Sequence, residues 1–192
     1  MALPSSPAAS APASAGERWP PLESSPEVFN QFMWSLGVRE DEAEFHDVYG
    51  LDADALDMVP QPVLAVILCF PDPPQDASYP SDLLLSYGEK RALFLEKDDA
   101  MAKAHSLAAS AGVTELCDVV EEHYICFVAV NGTLNELDGM KEGPIKHGSS
   151  CSKSFLQDAV PVIKGIMRNI PDSISFNLMV LSRKQNNAGS AS

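Results

Sequence analysis

His123 and Asp138 are the residues whose types and spacing set up proton-transfer chemistry. Between them run Tyr124 to Val130, the dipeptide Asn131-Gly132, and Thr133 to Leu137. Asn-Gly between two strand-like runs signals a two-residue hairpin turn. Such a turn pairs Val130 with Thr133 and, counting outward, Ile125 with Asp138. His123 lies two residues from Ile125, so it shares the face of Asp138 and stands diagonal to it, within reach of a long side chain. A carboxylate beside an imidazole orients the ring for work as a base. Spacing alone leaves two readings open: a base with its orienting acid, or a structural pair on a sheet.

The elements that must carry this pair are legible around it. Ser25 and Pro26 suit the start of a helix whose apolar face is Val28, Phe29, Phe32, Met33 and Leu36, with Gly37 as its end. Phe45 to Tyr49 reads as a short strand and Asp52 to Met58 as a short helix. Val63 to Phe70 is a continuous apolar run between prolines, the pattern of a strand buried on both faces. Four prolines between Pro71 and Pro80 forbid regular structure there. Lys90 to Leu95 and Ala100 to Ala109 read as helical, with Asp98 or Asp99 as a cap and Gly112 as a stop. Val113 to Glu122 is acidic and irregular. Ser152 to Ile170 is a helix with one apolar face and Pro161 inside it, and Phe176 to Leu181 is a last buried strand.

Composition narrows the function classes. The chain has 192 residues, enough for one domain with a real core. Its net charge is -14, from 27 Asp+Glu against 13 Lys+Arg, which disfavours nucleic acid and anionic membranes and favours a basic protein partner. The longest apolar run is far too short to cross a bilayer. Four cysteines without a C-x-x-C spacing, and an N-terminus without a secretory pattern, point to a reducing compartment, cytosol or nucleus. Residues 1–16 are almost wholly Ala, Ser and Pro and are expected to be a disordered tail, as are residues 183–192. A domain is expected over 17–182. No His pair has a metal-ligand spacing, and no cofactor is implied.

Several motifs resemble the small, single-domain ubiquitin C-terminal hydrolases, which are cysteine peptidases. They are Arg18-Trp-Pro-Pro-Leu-Glu23, Pro26-Glu-Val, Asn30-Gln-Phe, Asp47-Val-Tyr-Gly-Leu-Asp52 and Met58-Val-Pro-Gln-Pro-Val63. Arg91-Ala-Leu-Phe-Leu-Glu96, His123, Glu136-Leu-Asp-Gly139, Gly143-Pro-Ile-Lys-His-Gly148 and Phe176-Asn177 follow in family order. The resemblance implies a mixed α/β (α+β) fold of papain-like arrangement, a mostly antiparallel sheet flanked by helices. It implies thiol-dependent hydrolysis at the ubiquitin C-terminus, with ubiquitin or its conjugates as partner of a monomeric protein. It places the catalytic base on His123 and its orienting acid on Asp138.

One family motif is missing. The nucleophile belongs to Gln-Thr-x-x-Asn-Ala-Cys-Gly, whose Gln serves the oxyanion hole and whose Cys opens a central helix. The motif belongs between Phe70 and Arg91, where this chain has the proline-rich stretch and then Tyr79 to Lys90, without a cysteine. The domain is therefore incomplete between 71 and 90, and the resemblance implies an inactive form. Two alternatives stand beside it: a non-catalytic ubiquitin-binding protein, or a splice or gene-model product without stable function. Loss of the helix is expected to uncover the apolar faces of Val63 to Phe70 and of Phe155 to Ile170.

The four cysteines offer no replacement. Cys126 is three residues from His123 and points to the opposite strand face, and Cys69 belongs to a buried strand. Cys117 lies among acids that disfavour a thiolate, and Cys151 near a helix start has no role in the family. His147 reads as structural, and His46 and His105 have no partner that suggests chemistry.

Overall fold

The computed structural model describes residues 19–71, 95, 97–113, 122–141, 143–170 and 173–184. The proline-rich stretch after Pro71, most of the helix expected over Lys90 to Leu95, most of the acidic segment after Val113 and the N-terminal tail lie outside them.

Helix α1 (Pro26–Ser35) starts as its sequence dictates: Ser25 is extended and its hydroxyl accepts from the Val28 amide. Gly37 ends it at φ +99°, a conformation without steric penalty only for glycine. Strand β1 (Ala43–Asp47) leads to α2 (Ala53–Asp57), capped by the Asp52 carboxylate on the Ala55 amide. Strand β2 is Val63–Pro71 and helix α3 is Asp99–Ala111, capped by Asp98 on Met101 N–H. The hairpin strands are β3 (Glu122–Val130) and β4 (Thr133–Asp138). Strand β5 (Ile145–Ser149), helix α4 (Phe155–Arg168) and strand β6 (Asn177–Arg183) complete the order.

All strands join one antiparallel sheet in the order β1-β6-β2-β3-β4-β5. The mixed α/β expectation holds. Several boundaries differ from it, three of them for reasons visible in the pairing and turns. Strand β1 begins two residues before Phe45, because Ala43 and Glu44 pair with Arg183 and Ser182. Strand β6 runs to Arg183 for the same reason, and Lys184 follows with its amide on Glu42 O. Helix α4 starts at Phe155, since Cys151 to Ser154 close a turn by the Ser154 amide on Cys151 O.

The sheet alternates its side chains between two layers. On one face, Val66, Leu68, Ile125, Phe127, Leu134, Leu178 and Val180 pack against Phe155, Leu156, Ala159 and Ile163 of α4. On the other, Phe45 and Met179 pack with Met33, Phe29 and Trp34 of α1. The expectation that the apolar faces of β2 and α4 are uncovered fails over most of their length, where Val66, Leu68, Phe155 and Ile163 are at most 1% exposed, while Ile166, Met167 and Ile170 at and just beyond the end of α4 are only partly buried. These two faces cover each other, which is how a sheet face and an amphipathic helix remove apolar area from water together.

Candidate active site

The hairpin places the first pair. Asn131 and Gly132 take φ of +51° and +73°, the doubly left-handed turn that matches strand twist. The register runs from Val130↔Thr133 to Ile125↔Asp138, as the sequence predicts. His123 then meets Asp138 across the diagonal, with Nε2 at 2.8 Å from Oδ1. Their side chains are 16% and 10% exposed, so the bond lies at the rim of the core with little competing water. Asp138 Oδ1 also accepts from the Met140 amide at 2.8 Å.

The ring is fixed on a third side. Phe70, opposite His123 in the β2–β3 register, meets the imidazole edge-to-face with centroids 5.5 Å apart. When the neutral ring donates Nε2–H to the carboxylate, Nδ1 keeps its lone pair and can take a proton. The imidazole is thus oriented by its carboxylate, and no hydroxyl or thiol is hydrogen-bonded to it among the described residues.

The described cysteines lie away from that base. Cys126 sits on the opposite face of β3, and burial pushes its thiol up to about 11. Cys69 is buried in β2, and burial raises its thiol too. Cys151 is exposed in the turn before α4; the Ser154 hydroxyl and the Lys153 and Ser154 amides hold its thiol below the ordinary value. Cys117 lies outside the described residues. No three His, Cys, Asp or Glu side chains among the described residues are grouped to hold a metal ion.

A second imidazole–carboxylate pair was not foreseen. His147 Nε2 lies 2.6 Å from Glu136 Oε2. The sequence did hold a signal: the hairpin register puts Glu136 opposite Phe127, on the core face, where a carboxylate requires a donor. What was missing was β5, whose polar Ile145-Lys-His-Gly-Ser149 has no strand pattern of its own.

An antiparallel sheet between helices, with a strand-borne imidazole held by a carboxylate, is the arrangement expected of the papain-like fold. The profile of ubiquitin carboxyl-terminal hydrolase, family 1, matches residues 19–83 and 85–168. Ubiquitin carboxyl-terminal hydrolase 3 of Arabidopsis thaliana is 35% identical over 226 residues, covering 89% of this chain and 97% of that protein. A ubiquitin carboxyl-terminal hydrolase of Aplysia californica is 31% identical, covering 81% and 98%. The UCH37 catalytic domain of Trichinella spiralis, solved bound to ubiquitin vinyl methyl ester, has a TM-score of 0.67 at 20% identity, covering 89% of this chain and 98% of that one. The chain belongs to the ubiquitin C-terminal hydrolase family. The Arabidopsis alignment spans 226 positions against the 192 residues here, so that relative carries residues this chain lacks.

Proposed function

We propose that this chain is a ubiquitin-binding member of its family that does not hydrolyse ubiquitin conjugates. One observation carries the reading: the base and its acid are built, at 2.8 Å, while the interval between Phe70 and Arg91 holds no cysteine. In this reading His123 is the base that takes a thiol proton in a complete site, and Asp138 holds the ring. Without a thiolate no acyl-enzyme forms, and loss of a triad nucleophile removes several orders of magnitude of rate. Binding does not need the nucleophile. The net charge of -14 favours a basic protein surface, and the similar Trichinella domain was solved with a ubiquitin derivative bound. The domain is taken as 17–182, lengthened to Lys184 by the pairing of β6 with β1, acting as a monomer in cytosol or nucleus.

Two measurements test this. A ubiquitin C-terminal ester or amide should show no turnover above buffer, and labelled ubiquitin should show saturable NMR shifts on titration with the full chain. Turnover abolished by Cys151→Ser, or by replacing another cysteine, overturns the loss of activity. Absence of shifts at high protein concentration overturns the binding.

A further inference from the structure

Glu136 is a buried carboxylate that the chemistry of His123 and Asp138 leaves unused. It ends an apolar row across the sheet, Val180, Val66, Phe127 and then Glu136 in successive registers, and is only 8% exposed. A charge placed there needs a donor, and His147 supplies it at 2.6 Å while its ring packs 6.2 Å from that of Phe127. The two residues come from adjoining strands. Pairing of β4 with β5 shifts register between Leu134 and Asn135 and ends at Glu136↔Ile145. Asp138 therefore extends two residues beyond the last β5 pair and is paired only with Ile125 of β3.

We propose that Glu136 and His147 are positioning residues for the His123–Asp138 pair. Their bond ties His147, the β5 residue skipped at the register shift, to Glu136 in the last β4–β5 pair, next to the point where β4 becomes one-sided. It thereby fixes the lateral place of Asp138, two residues on along the same strand face. A charge-assisted bond from the skipped residue reinforces the two ladder pairs that resume after the shift, Asn135↔Lys146 and Glu136↔Ile145, and helps hold the strands at one spacing. The proposal concerns the geometry of the site and stands apart from the ubiquitin reading, so a failed ubiquitin titration leaves it untouched.

The test is the NMR signal of the His123 Nε2 proton in the full chain labelled with 15N-histidine. His147→Ala should displace this signal and raise its exchange with water on the order of tenfold, because the strand end opens locally more often. His147→Gln should restore it, since the amide again offers a donor to Glu136. Ile163→Val, a core change on α4 that leaves the Glu136–His147 bond intact, should leave the signal in place although it lowers stability. Should His147→Ala fail to fold, Glu136→Gln replaces it, with a smaller displacement expected. An unmoved His123 signal in the folded His147→Ala or Glu136→Gln variant, or an equal displacement in Ile163→Val, overturns the proposal.

Discussion

Asp138 and His123, fifteen residues apart in the chain, stand 2.8 Å apart in space because a two-residue turn folds their strands together. The carboxylate oxygen that meets the ring also accepts the Met140 amide. Asp138→Ala removes both bonds, the part-buried one to His123 and the exposed one to Met140. Leaving the part-buried His123 donor without its carboxylate is expected to lower stability by about 1–3 kcal/mol. Asp138→Asn keeps an acceptor and should lose less. Urea unfolding compares the two, and equal losses would show that the ring is not held by this oxygen.

Gly132 makes the turn possible. Its φ of +73° is costly for a residue with a Cβ, and no atom stands within 4 Å of where one would be. Any loss in Gly132→Ala is therefore a backbone effect, expected at about 1–2 kcal/mol. Gly139 also has open space around it and no positive φ, so Gly139→Ala should change stability little. Chemical denaturation of both variants checks this, and similar values for the two would sink the turn assignment.

The hairpin was readable because its register follows from two residues. Asn131-Gly132 fixes the turn, the turn fixes the pairing, and period two fixes the face, so His123 and Asp138 fall together without tertiary information. The caps at Ser25 and Asp98 were equally local. Strand β1 was misplaced by two residues because Ala43 and Glu44 have little strand preference and are recruited by Ser182 and Arg183. Strand β5 and the Glu136–His147 pair were missed because Ile145–Ser149 becomes a strand only by pairing with β4. The mutual covering of β2 and α4 was also out of reach, since it depends on which layers meet rather than on either pattern alone.

Thiol reactivity separates the three described cysteines. Burial raises Cys69 and Cys126, whereas the thiol of Cys151 is lowered and exposed. The thiolate is the reacting form, so Cys151 should be alkylated first at neutral pH, well ahead of the other two. The Ser154 hydroxyl carries one proton, and it lies 2.6 Å from Asp158 Oδ2 and 3.2 Å from Cys151 Sγ. Asp158→Ala frees that proton for the sulfur and removes a nearby negative charge. Both changes should speed alkylation of Cys151. Mass-spectrometric rates with iodoacetamide decide it: faster modification of Cys126 than of Cys151 contradicts the burial pattern, and a slower Asp158→Ala contradicts the proton assignment.

His105 gives the fold an acid-sensitive point. Its ring sits 4.7 Å from Trp19 and 5.9 Å from Phe32, joining α3 to α1 and to the segment ahead of α1. Burial lowers its pKa from the ordinary 6.5, because a charged imidazole would lose water without gaining a carboxylate. The unfolded chain therefore binds this proton more readily than the folded one. The contribution to stability is complete above about 6.5 and is lost as pH falls through that value towards the lowered one. Aromatic rings attract a cation, but here desolvation is the stronger effect on the imidazole. His105→Gln carries no titrating group, so its stability should fall less than that of the parent chain between pH 7 and pH 5, whatever its starting value. Urea unfolding of both chains at the two pH values measures the difference, and parallel losses would remove His105 as the cause.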